Sequence, residues 1–360
     1  MKILIVTNST AGLYNFRRML IERLLQENTV IAYSPYNGSE DELQRLGCQL
    51  KELAIDRRGM NPIKDRILYK KILAEIEKEK PDLVVTYTIK PNIYASFACK
   101  RKGIPYAVNI TGLGTAFEKG ALLEKVVVTM YREALKKAKV VFFENEYNRQ
   151  LFIRKRIVNE NKTCLLMGAG VDLDRFTVLP YPKNEIFRFI FIGRIMHEKG
   201  IDELFEAMKI LYSEDKRVVL DVCGSYEENY QEKIERYSKE GWLNYLGRQD
   251  DVRPYIGAAD CFILPSYHEG MANTNLESAS SGRPIITSNI PGCKEAVVDG
   301  SGFLCEPKNV DSIYEAMRKM VSLSSEQREK MGLIGRQHME EVFDKRKVVE
   351  ITISNLLTDD

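Results

Sequence analysis

The chain has 360 residues, 44% hydrophobic and 29% charged, with 23 glycines and 12 prolines. That composition excludes collagen-like, disordered and membrane-embedded classes and supplies material for about two domains. The formal charge of +2 hides an asymmetry, because residues 1–182 carry 30 Lys/Arg against 20 Asp/Glu and residues 183–360 carry 23 against 31. Halves of opposite sign are expected to meet different partners.

In chain order, short apolar, β-rich runs fall at 2–6, 29–32, 83–86, 107–110, 140–143 and 163–166. A second series follows at 187–192, 218–222, 243–246, 261–264, 284–287 and 302–305. Amphipathic stretches such as 13–26, 62–79 and 201–212 lie between them. Continuous rather than alternating apolar strands are expected where helices cover both faces of a parallel sheet, so the pattern predicts an α/β protein of two doubly wound domains. The seam is placed in Leu179-Pro180-Tyr181-Pro182-Lys183-Asn184, which divides the chain into 1–180, 181–345 and a C-terminal segment 346–360. The apolar opening after Met1-Lys2 is too short for a signal-peptide core, and no apolar run reaches 18 residues. Seven dispersed cysteines without a C-x-x-C fit buried thiols in a reducing compartment. The expected localisation is cytoplasmic.

Ligands of open α/β sheets bind at the carboxyl ends of the strands. After 187–192 comes Gly193-Arg194-Ile195-Met196-His197-Glu198-Lys199-Gly200, where two cations five residues apart can converge on an anion beside a helix N-terminus. An exposed loop with solvated charges fits the same residues. After 261–264 comes Pro265-Ser266-Tyr267-His268-Glu269-Gly270-Met271-Ala272-Asn273-Thr274-Asn275-Leu276-Glu277. A helix starting near Asn273 would present amides to an anion, while Glu269 and Glu277 would accept bonds from sugar or ribose hydroxyls. Two acids that merely favour a helix N-terminus are the plainer alternative.

Taken together, Gly193-Arg194…Lys199-Gly200, the Glu269-x₇-Glu277 spacing, Ala258-Ala259-Asp260…Leu264-Pro265-Ser266 and Gly170-Val171-Asp172-Leu173-Asp174-Arg175-Phe176 resemble glycosyltransferase family 4. The resemblance implies a retaining enzyme of GT-B fold, two Rossmann-like domains with an interdomain cleft and a nucleotide-sugar donor. By it, Arg194 and Lys199 hold the donor diphosphate, Glu269 the transferred sugar and Glu277 the ribose. The amides of Ala272, Asn273 and Thr274 add phosphate contacts, Gly193, Gly270 and Met271 also belong to the donor site, and the base lies near Arg248. Glu269, Arg194 and Lys199 are the residues closest to the chemistry. Asp172-Leu173-Asp174 looks like a metal-binding D-x-D but falls where the resemblance makes it structural. No metal and no cofactor are expected, since the cations can neutralise the leaving group. The segment from Arg346 is expected to form a helix crossing back to the first domain.

The first half is read as the acceptor domain. Gly12 would admit the donor phosphate or the acceptor close to the first loop, although G-x-G-x-x-G is absent and a simple strand-to-helix turn fits the same residues. Lys90 follows the run 83–86 and Thr111-Gly112-Leu113-Gly114 follows 107–110; Lys90, Thr111 and Gly112, with Asn109 near the end of the latter run, are the acceptor candidates. No histidine precedes His197, so Asn109 and Thr111 stand where many family members carry one. The loop sequence resembles the subset that builds capsule, O-antigen and other lipid-linked surface glycans.

Basic clusters at Arg17-Arg18, Arg57-Arg58, Lys70-Lys71, Lys100-Arg101-Lys102, Lys136-Lys137…Lys139 and Arg154-Lys155-Arg156 carry the positive excess. In 121–139, Leu122, Leu123, Val126, Val127, Met130, Tyr131 and Leu135 form an apolar stripe opposite Lys125, Arg132, Lys136 and Lys139. That pattern suits either a helix on an anionic membrane or a core helix with a solvated basic face. Nucleic acid is not expected, because aromatics do not interleave with the charge.

The expected activity is transfer of a hexose from a UDP-sugar to a polyprenyl-diphosphate-linked saccharide at the inner face of the cell membrane. A nucleotide-sugar epimerase or hydrolase of the same fold and a non-catalytic nucleotide-sugar or lipid-glycan binding protein are the alternatives.

Overall fold

The computed structural model describes residues 1–56, 61–113, 121–183 and 185–358. Arg57, Arg58, Gly114, Asn184 and the side chain of Leu122, all named above, lie outside the described residues. The chain forms two compact units, Met1–Ala169 with Arg346–Asp360, and Gly170–Lys345.

In the first unit, β1 (Lys2–Val6), β2 (Thr29–Ser34), β3 (Gln49–Glu52), β4 (Leu83–Tyr87), β5 (Tyr106–Ile110), β6 (Val140–Phe143) and β7 (Thr163–Leu165) make one sheet. Its order is β3-β2-β1-β4-β5-β6-β7, with every pair parallel. The central strands are buried at every position, and two apolar clusters flank them. β3 is the strand that the sequence does not announce, since Gln49-Leu50-Lys51-Glu52 is a polar edge with no fully buried residue.

The helix Lys345–Leu357 lays Val348, Val349, Ile353 and Leu356 into one of these clusters, beside Ile3, Leu20 and Phe142. Burying each such side chain contributes roughly 1.5–3 kcal/mol, which is why the chain end belongs to the first unit.

In the second unit, β8 (Phe187–Ile192), β9 (Val218–Cys223), β10 (Leu243–Gly247), β11 (Cys261–Leu264), β12 (Ile285–Ser288) and β13 (Gly302–Cys305) form a parallel sheet of order β10-β9-β8-β11-β12-β13. Strand order reverses between β8 and β11, so the chain leaves these two strands toward opposite sides of the sheet, the place where open α/β sheets form a ligand crevice at the strands' carboxyl ends. Phe205, Tyr237 and Trp242 pack edge-on and tilted beneath the sheet, with centroids 4.7 to 6.0 Å apart.

The boundary differs from the proline-rich seam. Residues 170–180, assigned by sequence to the first domain, pack with the second. The buried Arg283 guanidinium donates to the carbonyls of Leu179 at 3.2 Å and Pro180 at 2.7 Å, and Arg336 donates to that of Phe176 at 2.7 Å. A proline-interrupted stretch looks like a linker until a distant arginine claims its carbonyls. Moving those residues to the second unit and 346–360 to the first leaves the charge contrast intact, with 31 basic against 21 acidic residues in the first unit and 22 against 30 in the second.

Candidate active site

The second unit gathers most of the donor candidates at the carboxyl ends of β8 and β11. After β8 the chain runs through Gly193 and Arg194 into a short 3-10 turn, His197–Lys199, and the helix Ile201–Glu214 begins at Gly200 without a side-chain cap. Gly200 has φ +67°, and a Cβ there would lie 2.1 Å from the Pro265 carbonyl oxygen. Only glycine allows the loop after β8 to close onto the loop after β11. The two are joined further by the Tyr267 amide, which donates to the Glu198 carbonyl at 2.9 Å.

That approach brings Lys199 onto Glu269. The ammonium binds the carboxylate through Oε1, and the Ser266 hydroxyl donates to the same oxygen at 2.8 Å. Both charged side chains are about 15% exposed, enough to meet a ligand yet shielded enough for the pairing to matter. Glycine again shapes the rear of the loop. A Cβ at Gly292, φ +85°, would come within 2.6 Å of the Gly270 carbonyl oxygen, while the Gly292 carbonyl accepts from the Ala272 amide at 2.7 Å.

The helix Asn273–Ser280 starts at Ala272 with no side-chain cap, so its first amides, including those of Asn273 and Thr274, face the crevice as anion donors. Met271 and Ala272 are buried beneath it. Glu277 lies one turn into this helix and is half-buried. Burial pushes its carboxyl up to about 7, against the opposing pull of Lys345 and Arg175. Near neutral pH it therefore both accepts and donates hydrogen bonds, which suits vicinal hydroxyls.

Arg194 does not join Lys199 on Glu269. It pairs with Glu227 at 3.5 Å. Arg248, just past β10, is exposed and makes no ion pair among the described residues. His268 is exposed beside Glu269. Asp172 of the D-x-D accepts from the Arg175 amide at 3.1 Å.

Sequence patterning misses Ser266, Glu227 and Glu228. Strand order is the signal that finds the acids, because it seats the loop after β9 beside Arg194.

In the first unit the candidates are scattered. Gly12 lies inside the helix Thr10–Leu25, and its amide is taken by the Ser9 cap at 2.9 Å. Asn37 Oδ1 accepts from the Ala11 amide at 3.2 Å, and Glu40 accepts from the Thr10 hydroxyl at 2.6 Å. With its amide engaged and a carboxylate beside it, Gly12 forms part of a capped strand-to-helix turn that does not favour a phosphate. Lys90 is paired with Asp65 at 2.8 Å. Asn109 is buried on β5, and its carbonyl accepts from Asn92 at 2.8 Å while its Nδ2 is left without a protein partner. Thr111 and Gly112 follow it, half-buried.

Known proteins carry the same two halves. Residues 2–145 match the Glycosyl transferase 4-like family and residues 178–338 the Glycosyl transferases group 1 family. The chain is 26% identical over 337 residues to N,N'-diacetylbacillosaminyl-diphospho-undecaprenol alpha-1,3-N-acetylgalactosaminyltransferase of Campylobacter jejuni, covering 88% of each. It is 26% identical over 346 residues to the capsular polysaccharide biosynthesis glycosyltransferase CapM of Staphylococcus aureus, covering 92% of this chain and 90% of the relative. Its fold matches Anabaena Alr3699/HepE, solved in complex with UDP and glucose, over the whole of both chains with a TM-score of 0.82 at 15% identity. The paired domains, the strand order and these matches agree: the chain is a glycosyltransferase of the family 4 type, with a GT-B fold.

Proposed function

We propose that this enzyme moves a sugar from a UDP-sugar to a polyprenyl-diphosphate-linked saccharide, with retention at the anomeric carbon. The observation that carries the donor half is the meeting of Lys199, Glu269 and the uncapped start of Asn273–Ser280 at the strand-order reversal. The lipid-linked acceptor is supported by the Campylobacter relative, whose name specifies an undecaprenyl-diphosphate sugar.

In the reaction, the bond from the anomeric carbon to the diphosphate oxygen breaks, and the acceptor hydroxyl oxygen bonds to that carbon on the same face. The hydroxyl proton passes to the departing phosphate. Arg194, Lys199 and the helix amides stabilise the growing negative charge, each contact contributing on the order of 2–4 kcal/mol to the transition state. Glu269 orients the sugar hydroxyls, and Glu277 takes the ribose. No protein nucleophile and no metal are required by this scheme, and turnover is expected to persist in EDTA. Lys90, Asn109, Thr111 and Gly112 are the acceptor residues of this reading. Its test is a screen of UDP-, GDP- and ADP-sugars against a short-chain lipid-diphosphate glycan, read by mass spectrometry. Product from UDP-sugars is expected, and product only from another nucleotide would overturn the donor assignment.

We further propose a peripheral membrane contact, carried by a different face from the one the stripe at 121–139 suggests. Val127, Tyr131 and Leu135 of that stripe are buried in the core. Part of its basic side is also engaged, with Arg132 donating to the carbonyls of Arg156 at 3.0 Å and Lys155 at 2.9 Å. Lys136 pairs with Glu133, and Lys139 with the Thr358 carbonyl. The helix Pro62–Glu79 is more open. Ile63 and Ile67 are 73% and 50% exposed on successive turns, among exposed Lys64, Arg66, Lys70 and Lys71. Apolar tips ringed by cations suit an anionic bilayer surface. Replacing both isoleucines by Ser should reduce sedimentation with anionic liposomes, and unchanged sedimentation would reject this face. Among the described residues no helix is long and apolar enough to cross a membrane.

A further inference from the structure

The loop after β9 places two carboxylates against a loop read as a diphosphate site, which is electrostatically odd. The arrangement is tightly built. The Ile195 amide donates to the Ser225 carbonyl at 2.9 Å, and the amides of Glu227 and Glu228 return to the Ile195 carbonyl at 3.1 and 3.3 Å. Glu228 Oε2 accepts from the His197 amide at 2.7 Å. A Cβ on Gly224 would stand 1.8 Å from the Gly193 carbonyl oxygen, so the two loops are in backbone contact. Stitched in this way, Glu227 cannot drift from Arg194, and its carboxylate sits 3.5 Å from the guanidinium.

We infer that Glu227 is a positioning residue that holds Arg194 and competes with a bound diphosphate for it. The inference rests on the proposed donor role of Arg194. Arg194 is 38% exposed and Glu227 25%, so the pair is weak enough to be broken by a phosphate yet persistent enough to oppose it. The competition bears unequally on substrate and product. A nucleoside diphosphate freed from its sugar carries an additional negative charge on its terminal phosphate and so draws more of its binding from the Arg194 guanidinium, and a carboxylate that occupies that guanidinium weakens the product more than the sugar ester. Glu227 thereby favours release of the product over loss of the donor. Glu228 differs in task, because its carboxylate is spent on the loop backbone and holds the turn at His197.

The test is calorimetric titration of UDP into the wild-type protein, Glu227→Gln, Arg194→Ala and the double variant, with product inhibition measured alongside. Glu227→Gln should tighten UDP about two- to fivefold, the range expected of a partly exposed ion pair. It should have no effect where Arg194 is already Ala, and should lower the inhibition constant of UDP more than the KM of the donor. UDP affinity that is unchanged or weakened by Glu227→Gln, while Arg194→Ala still weakens binding, overturns the inference and leaves the donor reading intact. An equal gain in the Arg194→Ala background also overturns it, since the effect would then be general charge. UDP binding that is absent from the wild type, or indifferent to Arg194→Ala, fails the donor reading itself and the inference with it.

Discussion

The ammonium of Lys199 closes on the carboxylate of Glu269 across a separation of 70 positions in sequence, joining the loops that follow β8 and β11. Two residues assigned to different parts of the donor, the diphosphate and the sugar, are thus each other's partner before it arrives. Pairing holds the Lys199 and Glu269 side chains together at the crevice, which lowers the cost of organising the site at the moment of reaction.

Removing Lys199 should therefore do double damage, deleting a diphosphate cation and stranding a shielded carboxylate. Lys199→Ala is expected to lower kcat/KM by about 10²–10³ in steady-state assays. Ser266→Ala, which deletes one hydroxyl bond to Oε1, should cost less, on the order of 1–2 kcal/mol. A Ser266→Ala effect larger than that of Lys199→Ala would reverse this ranking.

Glu277 predicts a pH signature. Its folded carboxyl holds a proton up to about 7 rather than the ordinary value near 4.5. A group raised in this way stabilises the fold below its unfolded value, and that stability is lost as pH rises from about 4.5 through 7. Relative to wild type, Glu277→Gln should gain stability between pH 4 and pH 8, by up to roughly 3 kcal/mol in denaturant titrations. Nucleotide binding should weaken in the same variant. A stability difference that does not change with pH would contradict the account.

Two glycines of nearly equal φ separate backbone strain from steric closure. A Cβ on Gly103, at φ +68°, would have nothing within 4 Å, whereas one on Gly200, at φ +67°, would meet the Pro265 carbonyl at 2.1 Å. Gly103→Ala should cost about 1 kcal/mol. Gly200→Ala should cost at least about 2 kcal/mol more and abolish turnover, because the Lys199 loop can no longer reach Glu269. Thermal unfolding of the two variants checks this, and equal shifts would deny the close approach its importance.

Lys90 supplies the acceptor-side test. Lys90→Ala should raise the KM for a lipid-diphosphate acceptor while leaving UDP affinity unchanged in calorimetry. An unchanged acceptor KM would reduce Lys90 to a partner of Asp65.

Much of this was legible in the residues, and what was hidden has a physical reason. Buried parallel strands advertise themselves, as Val140–Phe143 and Phe187–Ile192 do, because both faces must be apolar. The polar edge β3 has no such obligation. The Gly193–Gly200 loop and the Glu269-x₇-Glu277 spacing are local and readable, but the partner of Arg194 depends on which strand lies beside β8. The domain boundary was displaced because Arg283 and Arg336 reach segment 176–180 from more than a hundred residues away. A glycine near a helix start leaves a ligand turn and a plain strand-to-helix turn equally open, because it says nothing of the Ser9 cap or of Glu40.

The central claim is transfer rather than binding or hydrolysis, and acceptor dependence tests it most directly. UDP release from a UDP-sugar should be measured with and without a short-chain polyprenyl-diphosphate saccharide, with the lipid product weighed by mass spectrometry. The account predicts release that requires the acceptor and a product heavier by one sugar residue. Equal UDP release without acceptor, or an acceptor of unchanged mass, would contradict it.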